Sequence, residues 1–419
     1  MIPALTAPDS SLALLREGYA FISRRCDRLG TDAFRTRLML RPAVCVRGAE
    51  AARMFYGDRR FTRRGAFPPT LLHLLQDEGS VQSLDGSAHR ARKELFLRLL
   101  QGAGAPRITE VLAQEWPAAV RRWQRADRVV LFDALNELLT QVAATWAGVP
   151  LDERDLALRA REVAEMRNRA GSIGPANWRA QFLRHRSERW ARAVIARVRS
   201  GELTPPEGSA VAAIAGHRGD DGELLDLPVA GVELLNLIRP VAAVSRFGVF
   251  AALALLRHPR WRDAFAAGED EDLHAFVLEV RRFFPFFPLV AGRVREPFTW
   301  QEHRFGTGDR VYLDLYGTDH DARSWTDPEV FDPERFRGWQ GDPWTLIAQG
   351  AGGYAENHRC PGEPMTEWLL EDVVRLLTRS VRYEVGVQDF SISLNRLPTL
   401  PADGFVVSHV RPVPGTAAA

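Results

Sequence analysis

The sequence predicts one mostly helical domain, spanning residues 1–419, with small β-sheets at its edges. Three observations predict it. Helical periodicity runs almost unbroken from about residue 85 to 200, as in "HRARKELFLRLL" and "NWRAQFLRHRSERWARAVIARVRS". A helix from about Pro228 to His258 is apolar nearly all round, so it belongs in the interior, buried on several sides. Strand-like segments are short and confined to the margins. No repeat and no linker divides the chain.

Taken in order, residues 11–28 have helical spacing, and 35–48 read as two short strands turning at Pro42. Residues 201–226, rich in Gly, Pro, Asp and Glu, read as a surface loop. The central helix follows, with Pro228 well placed in its first turn. Another helix covers about 270–284, and "LVAGRV", "FTWQEHRF" and "RVYLDLY" read as strands. Residues 320–358 are loop-rich. A last long helix starts near Pro361 and runs to about 380, before the strand-like "VRYEVG", "FSISLN" and "GFVVSHV".

Composition narrows the function. Hydrophobic residues at 46% and charged residues at 26% suit a globular enzyme able to enclose a cofactor. A net charge of +2 leaves no nucleic-acid or membrane footprint. The basic residues are nearly all arginine, and Lys93 is the one lysine. Cys26, Cys45 and Cys360 are too few and too far apart for a disulfide framework, which fits a reducing compartment. The N-terminus lacks a signal-peptide pattern, and no window of eighteen uninterrupted apolar residues appears. The expectation is a cytoplasmic enzyme with no membrane anchor and no nucleic-acid partner.

The strongest local motif is "QGAGGYAENHRCPGEPM", residues 349–365. A glycine-rich loop delivers Cys360 to a helix N-terminus, where the dipole and free amides favour a thiolate, with His358 and Arg359 adding positive charge. "EVRRFFP" sets Glu279 and Arg282 at i and i+3, able to pair, and "DPERF" places Arg335 upstream of the cysteine loop. The central helix carries the anomaly: Arg239 followed by Pro240, in "ELLNLIRPVAAV". Arginine is rarely buried without a partner, and proline removes a helical hydrogen bond.

Glu279, Arg282, Arg335 and Cys360, in that order and spacing, resemble the cytochrome P-450 superfamily across the whole chain. The resemblance implies haem b, with Cys360 as its iron ligand and the central helix crossing the distal haem face. Two departures narrow it. Glu356 and His358 occupy loop positions that usually hold glycine and arginine, and no acid–alcohol pair sits in the central helix. Arg239–Pro240, the lengthened cysteine loop and "VQSLDGSAH", with Gln82, Asp85, Gly86 and His89, together resemble the fatty-acid peroxygenase branch.

That branch implies a long-chain fatty acid and hydrogen peroxide as substrates, with no redox partner protein. Arg239 would hold the substrate carboxylate as a planar fork and Pro240 would make room over the iron. The carboxylate would then serve as the general acid–base group, with attack at Cα or Cβ. Gln82 favours hydroxylation over decarboxylation to a terminal alkene. His89, Lys93, Arg63 and His358 are candidates for the haem propionates. Gln76 would influence position of attack, and Phe286, Phe287 and Leu289 would line an apolar channel. The competing readings are a decarboxylase, a reductase-dependent monooxygenase, and a haem protein that binds a ligand without turnover.

Overall fold

A computed structural model describes residues 2–57, 59–75, 79–219 and 222–414. Its axis is the helix Leu227–Arg257, one residue offset from the range the sequence predicts. Apolar residues on all its faces explain its position: helices Leu131–Ala147, Pro175–Arg199 and Glu363–Arg379 pack around it. Among the described residues it is the one helix long and apolar enough to cross a membrane, and 89% of its most apolar stretch is buried inside the protein. Helical geometry continues through Pro240, and Pro228 lies in the first turn.

The main sheet has five strands in the order Ala33–Leu38, Arg41–Val46, Arg310–Asp314, Leu289–Val294 and Phe61–Thr62. Only the Arg41–Val46 and Arg310–Asp314 pair is parallel. A smaller sheet joins Val129–Val130, Val406–Pro412 and Val381–Glu384.

Several sequence boundaries move. The first hairpin turns at Met39 and Leu40, both at positive φ, and Pro42 lies inside the second strand. Proline is tolerated there because pairing with Arg310–Asp314 begins only at Val44. "FTWQEHRF" is a hairpin of two strands, Phe298–Trp300 and His303–Phe305, reversing at Gln301 and Glu302. The loop 201–226 contains a short buried helix, Ala210–Ala215. "FSISLN" forms only an isolated bridge, Ile392 to Pro401. The last long helix begins at Glu363, two residues after Pro361.

Candidate active site

Behind the cysteine loop, Glu279 and Arg282 are fully buried and paired at 2.6 Å. Arg335 joins at 3.3 Å, and the Asp332 amide donates to Glu279 Oε1 at 2.8 Å. Arg282 also donates to the carbonyls of Asp319 (2.9 Å) and Pro328 (3.0 Å), tying the helix Leu273–Phe283 to the loop before the cysteine. The predicted lock is therefore assembled. A second lock lay outside the sequence reading: Arg281, fully buried, bridges Glu363 and Glu367 of the cysteine helix and reaches Gln349 at 3.1 Å. The pattern "VRR" beside "CPGEPMTE" could have indicated it.

The cysteine loop corrects one electrostatic expectation. Burial pushes the Cys360 thiol up, and the Gly362 amide only partly offsets this. Neither neighbour supplies free positive charge. Burial holds His358 well below the usual imidazole value, and Arg359 is paired with Glu363 at 2.6 Å. A buried thiol in this position becomes a thiolate by metal ligation, because a coordinated thiol is deprotonated outright.

Cys360 lies in the wall of a cavity of about 310 Å³ that also includes Arg239, Pro240, Gln82, His89, Lys93 and His358. Apolar side chains such as Phe96, Val244, Phe247 and Leu369 form much of the remaining wall. Phe286, Phe287 and Leu289 line it too, and the Phe286 ring stacks on Phe247 with centroids 4.3 Å apart. Gln76 lies outside the described residues.

The four predicted cations gather at one end. The rings of His89 and His358 are 4.2 Å apart, and burial lowers His89 to about 4. Lys93 is buried and donates to the carbonyl of Arg359; burial lowers it to about 8. Arg63 is buried over the rings of Phe55 and Tyr56 and donates to the Ala291 carbonyl at 2.8 Å. No carboxylate pairs with Lys93 or Arg63 among the described residues. A thiol in an apolar cavity with unneutralised cations beside it fits haem b: Cys360 would hold the iron, and Lys93 and Arg63 would pair with the propionates.

On the other wall, Arg239 donates to the carbonyls of Leu74 (2.6 Å) and Leu75 and to Asn236 Oδ1 (3.0 Å). Asn236 in turn donates to Glu233 (2.9 Å) and Gln82 Oε1 (3.2 Å). Glu233 is fully buried, salt-bridged to Arg92 at 2.5 Å, and accepts from the Val81 amide at 3.0 Å. Glu233, Asn236 and Arg239 thus form one polar stripe at i, i+3 and i+6 of an apolar helix. The sequence reading missed the first two, although their spacing was visible. Gln82 Oε1 also accepts from Ser80 (2.9 Å), so the Gln82 amide nitrogen is the group left to face the cavity.

The cytochrome P450 family model matches residues 273–393, which contain both locks and the cysteine. A variant of cytochrome P450SP alpha is 40% identical, with a TM-score of 0.94, over 97% of this chain and 100% of that one. This chain belongs to the cytochrome P450 family, in its fatty-acid peroxygenase branch. Cytochrome P450EX alpha, solved with myristic acid, is 37% identical (TM-score 0.94), covering 99% of this chain and 100% of that one. A cytochrome P450 OleT variant in complex with arachidonic acid is 32% identical (TM-score 0.94), covering 99% of each. Putative cytochrome P450 138 of Mycobacterium tuberculosis is 24% identical, over 91% of this chain and 90% of that protein. The peroxygenase is therefore a haem b oxidoreductase.

Proposed function

We propose that this peroxygenase uses hydrogen peroxide to hydroxylate long-chain fatty acids at Cα or Cβ, without a redox partner protein. The observation that carries the reading is Arg239 and Cys360 in the wall of one largely apolar cavity. An acyl chain suits the apolar wall, and a guanidinium matches a carboxylate as a bidentate fork. The fatty acids in two related structures support the same substrate class. Holding the carboxylate at Arg239 would bring Cα and Cβ, and not the chain end, toward the iron side.

Haem b, when bound through a thiolate, supplies the oxidising chemistry that cleaves an O–O bond. Among the described residues, the central helix offers no proton relay of the usual kind. After Pro240 come Val241, Ala242, Ala243 and Val244, and the Ser245 hydroxyl is buried and bound to the Ala242 carbonyl at 2.7 Å. Glu233 is held by Arg92, Val81 and Asn236. A carboxylate oxygen of the substrate, fixed at Arg239, is then the group that carries the proton. Pro240 is exposed within the cavity, and its missing N–H leaves the Asn236 carbonyl without its usual helical donor. The amide nitrogen of Gln82 donates a hydrogen bond but does not exchange protons near neutral pH, which favours hydroxylation over decarboxylation. Cytoplasmic location belongs to the same proposal; it is supported by three cysteines in no disulfide, two of them fully buried.

The test is turnover of a saturated long-chain fatty acid with hydrogen peroxide and no reductase, with products separated by gas chromatography and identified by mass. Hydroxy acids at Cα or Cβ are expected. A terminal alkene as main product would make the enzyme a decarboxylase, and product formed only with a reductase system would overturn the proposal.

A further inference from the structure

Arg167, in the last turn of the helix Glu153–Asn168, also lines the cavity. It is only 8% exposed. Its guanidinium donates to two neutral oxygens, Asn136 Oδ1 at 2.6 Å and the main-chain carbonyl of Arg239 at 3.1 Å. Beside it lies Arg246, 4% exposed, which donates to Asn168 Oδ1 at 2.9 Å and to the Thr399 carbonyl. Neither arginine has a carboxylate partner among the described residues. Two adjacent buried cations matched only by neutral oxygens form a region of uncompensated positive charge. Burial and the neighbouring Arg246 charge lower Arg167 to about 9, and burial lowers Arg246 to about 10.

Elsewhere this protein does not leave buried arginines in that state. Arg92, Arg159, Arg184, Arg281 and Arg282 are as buried, and each sits against a carboxylate. Arg63 is another buried arginine with none, and it lies where the cofactor's propionates are expected. Of the adjacent pair without a carboxylate, Arg246 lies off the cavity, whereas Arg167 lines it. Arg167 is in the cavity wall, and two of its five N–H donors are engaged by the bonds above.

We infer that Arg167 forms a second anion subsite in the substrate cavity, so that the enzyme prefers fatty acids carrying a second carboxylate, as α,ω-dicarboxylic acids do. One carboxylate would pair with Arg239 and the other with Arg167. This rests on the reading of Arg239 as the first receiver. The two arginines line the cavity from different elements, the central helix and the helix Glu153–Asn168, so the chain between the carboxylates must match that span.

The test is a binding titration of the haem-loaded enzyme, read by the shift of the haem absorption band and by calorimetry. Saturated monocarboxylic acids are compared with α,ω-dicarboxylic acids over a series of chain lengths. At least one diacid is expected to bind about tenfold or more tightly than the monoacid of equal length, as a second charge-assisted contact gives. Arg167→Leu should abolish that preference, read as the diacid-to-monoacid affinity ratio within the same variant, and Arg167→Gln should do so with a smaller change in packing. A wild-type enzyme that binds every diacid more weakly than its monoacid overturns the inference, without needing any variant. So does a folded Arg167→Gln that keeps the preference. Monoacid binding unchanged in Arg239→Leu would instead overturn the reading of Arg239, a separable failure.

Discussion

Two regions on either side of the cavity bury the same residue type to opposite ends. On the proximal side, Arg281 and Arg282 are fully buried and locked to Glu363, Glu367 and Glu279. On the distal side, Arg167 and Arg246 are almost as buried, and their hydrogen bonds go to neutral oxygens, with Arg246 also over the Phe132 ring. Within one chain of fixed composition, a matching carboxylate separates the arginines that hold the fold from Arg167, which lines the cavity without one. A buried cation costs several kcal/mol unless compensated, so the distal wall carries a standing cost that a ligand's carboxylate relieves.

The proximal side should break hardest. Among the described residues, Glu279→Gln removes the carboxylate salt-bridged to both Arg282 and Arg335. We expect a loss of roughly 3–5 kcal/mol, read as a lower urea midpoint and weaker haem retention. Arg239→Leu should lower kcat/KM for a fatty acid about a hundredfold or more, the effect of losing a buried charge-assisted fork, while the urea midpoint falls by less than in Glu279→Gln. That split between stability and activity is the comparison in measurable form. If both variants lost stability equally, it would fail.

Gln82→His sharpens the distal side alone. It places a titrating ring where an amide nitrogen now faces the cavity, and product should shift from hydroxy acid toward terminal alkene, with a change in total turnover of less than about tenfold. Product ratios by gas chromatography check it.

The smallest effect belongs to Asp314, a buried acid of the main sheet. It is bound to Ser23 (2.5 Å) and the Gly317 amide (2.7 Å), and burial raises it to about 6. Its folded pKa lies above the unfolded value, so the folded state holds its proton more tightly. Its contribution is complete below about pH 4 and declines as pH rises through about 6. Urea midpoints across that window should fall less steeply in Asp314→Asn than in the parent.

Much of the site was legible in the sequence because its elements are local. Arg239–Pro240 stands out inside an apolar helix, Glu279 and Arg282 are one turn apart, and Cys360 follows a glycine-rich loop into a helix. What the sequence concealed depends on burial and long-range partners. Arg167 sits among many arginines on an outwardly ordinary amphipathic helix, and in a chain whose cations are nearly all arginine the residue type gives no signal. Its role appears only when its guanidinium is found against the Arg239 carbonyl. The charge assigned to His358 and Arg359 failed for the same reason: one is desolvated to neutrality and the other is taken by Glu363. The first hairpin shows the converse, since Pro42 looked like a turn residue until Met39 and Leu40 were seen to make the reversal.

The central claim is that a substrate carboxylate, held at Arg239, both anchors the chain and carries the proton. The most direct measurement is peroxide-driven turnover of a long-chain fatty acid beside its own methyl ester, which keeps the chain and loses the ionisable group. The account predicts hydroxylated acid and an ester at background, with Arg239→Leu reducing the acid to the same level. An ester hydroxylated as readily as the acid would contradict it.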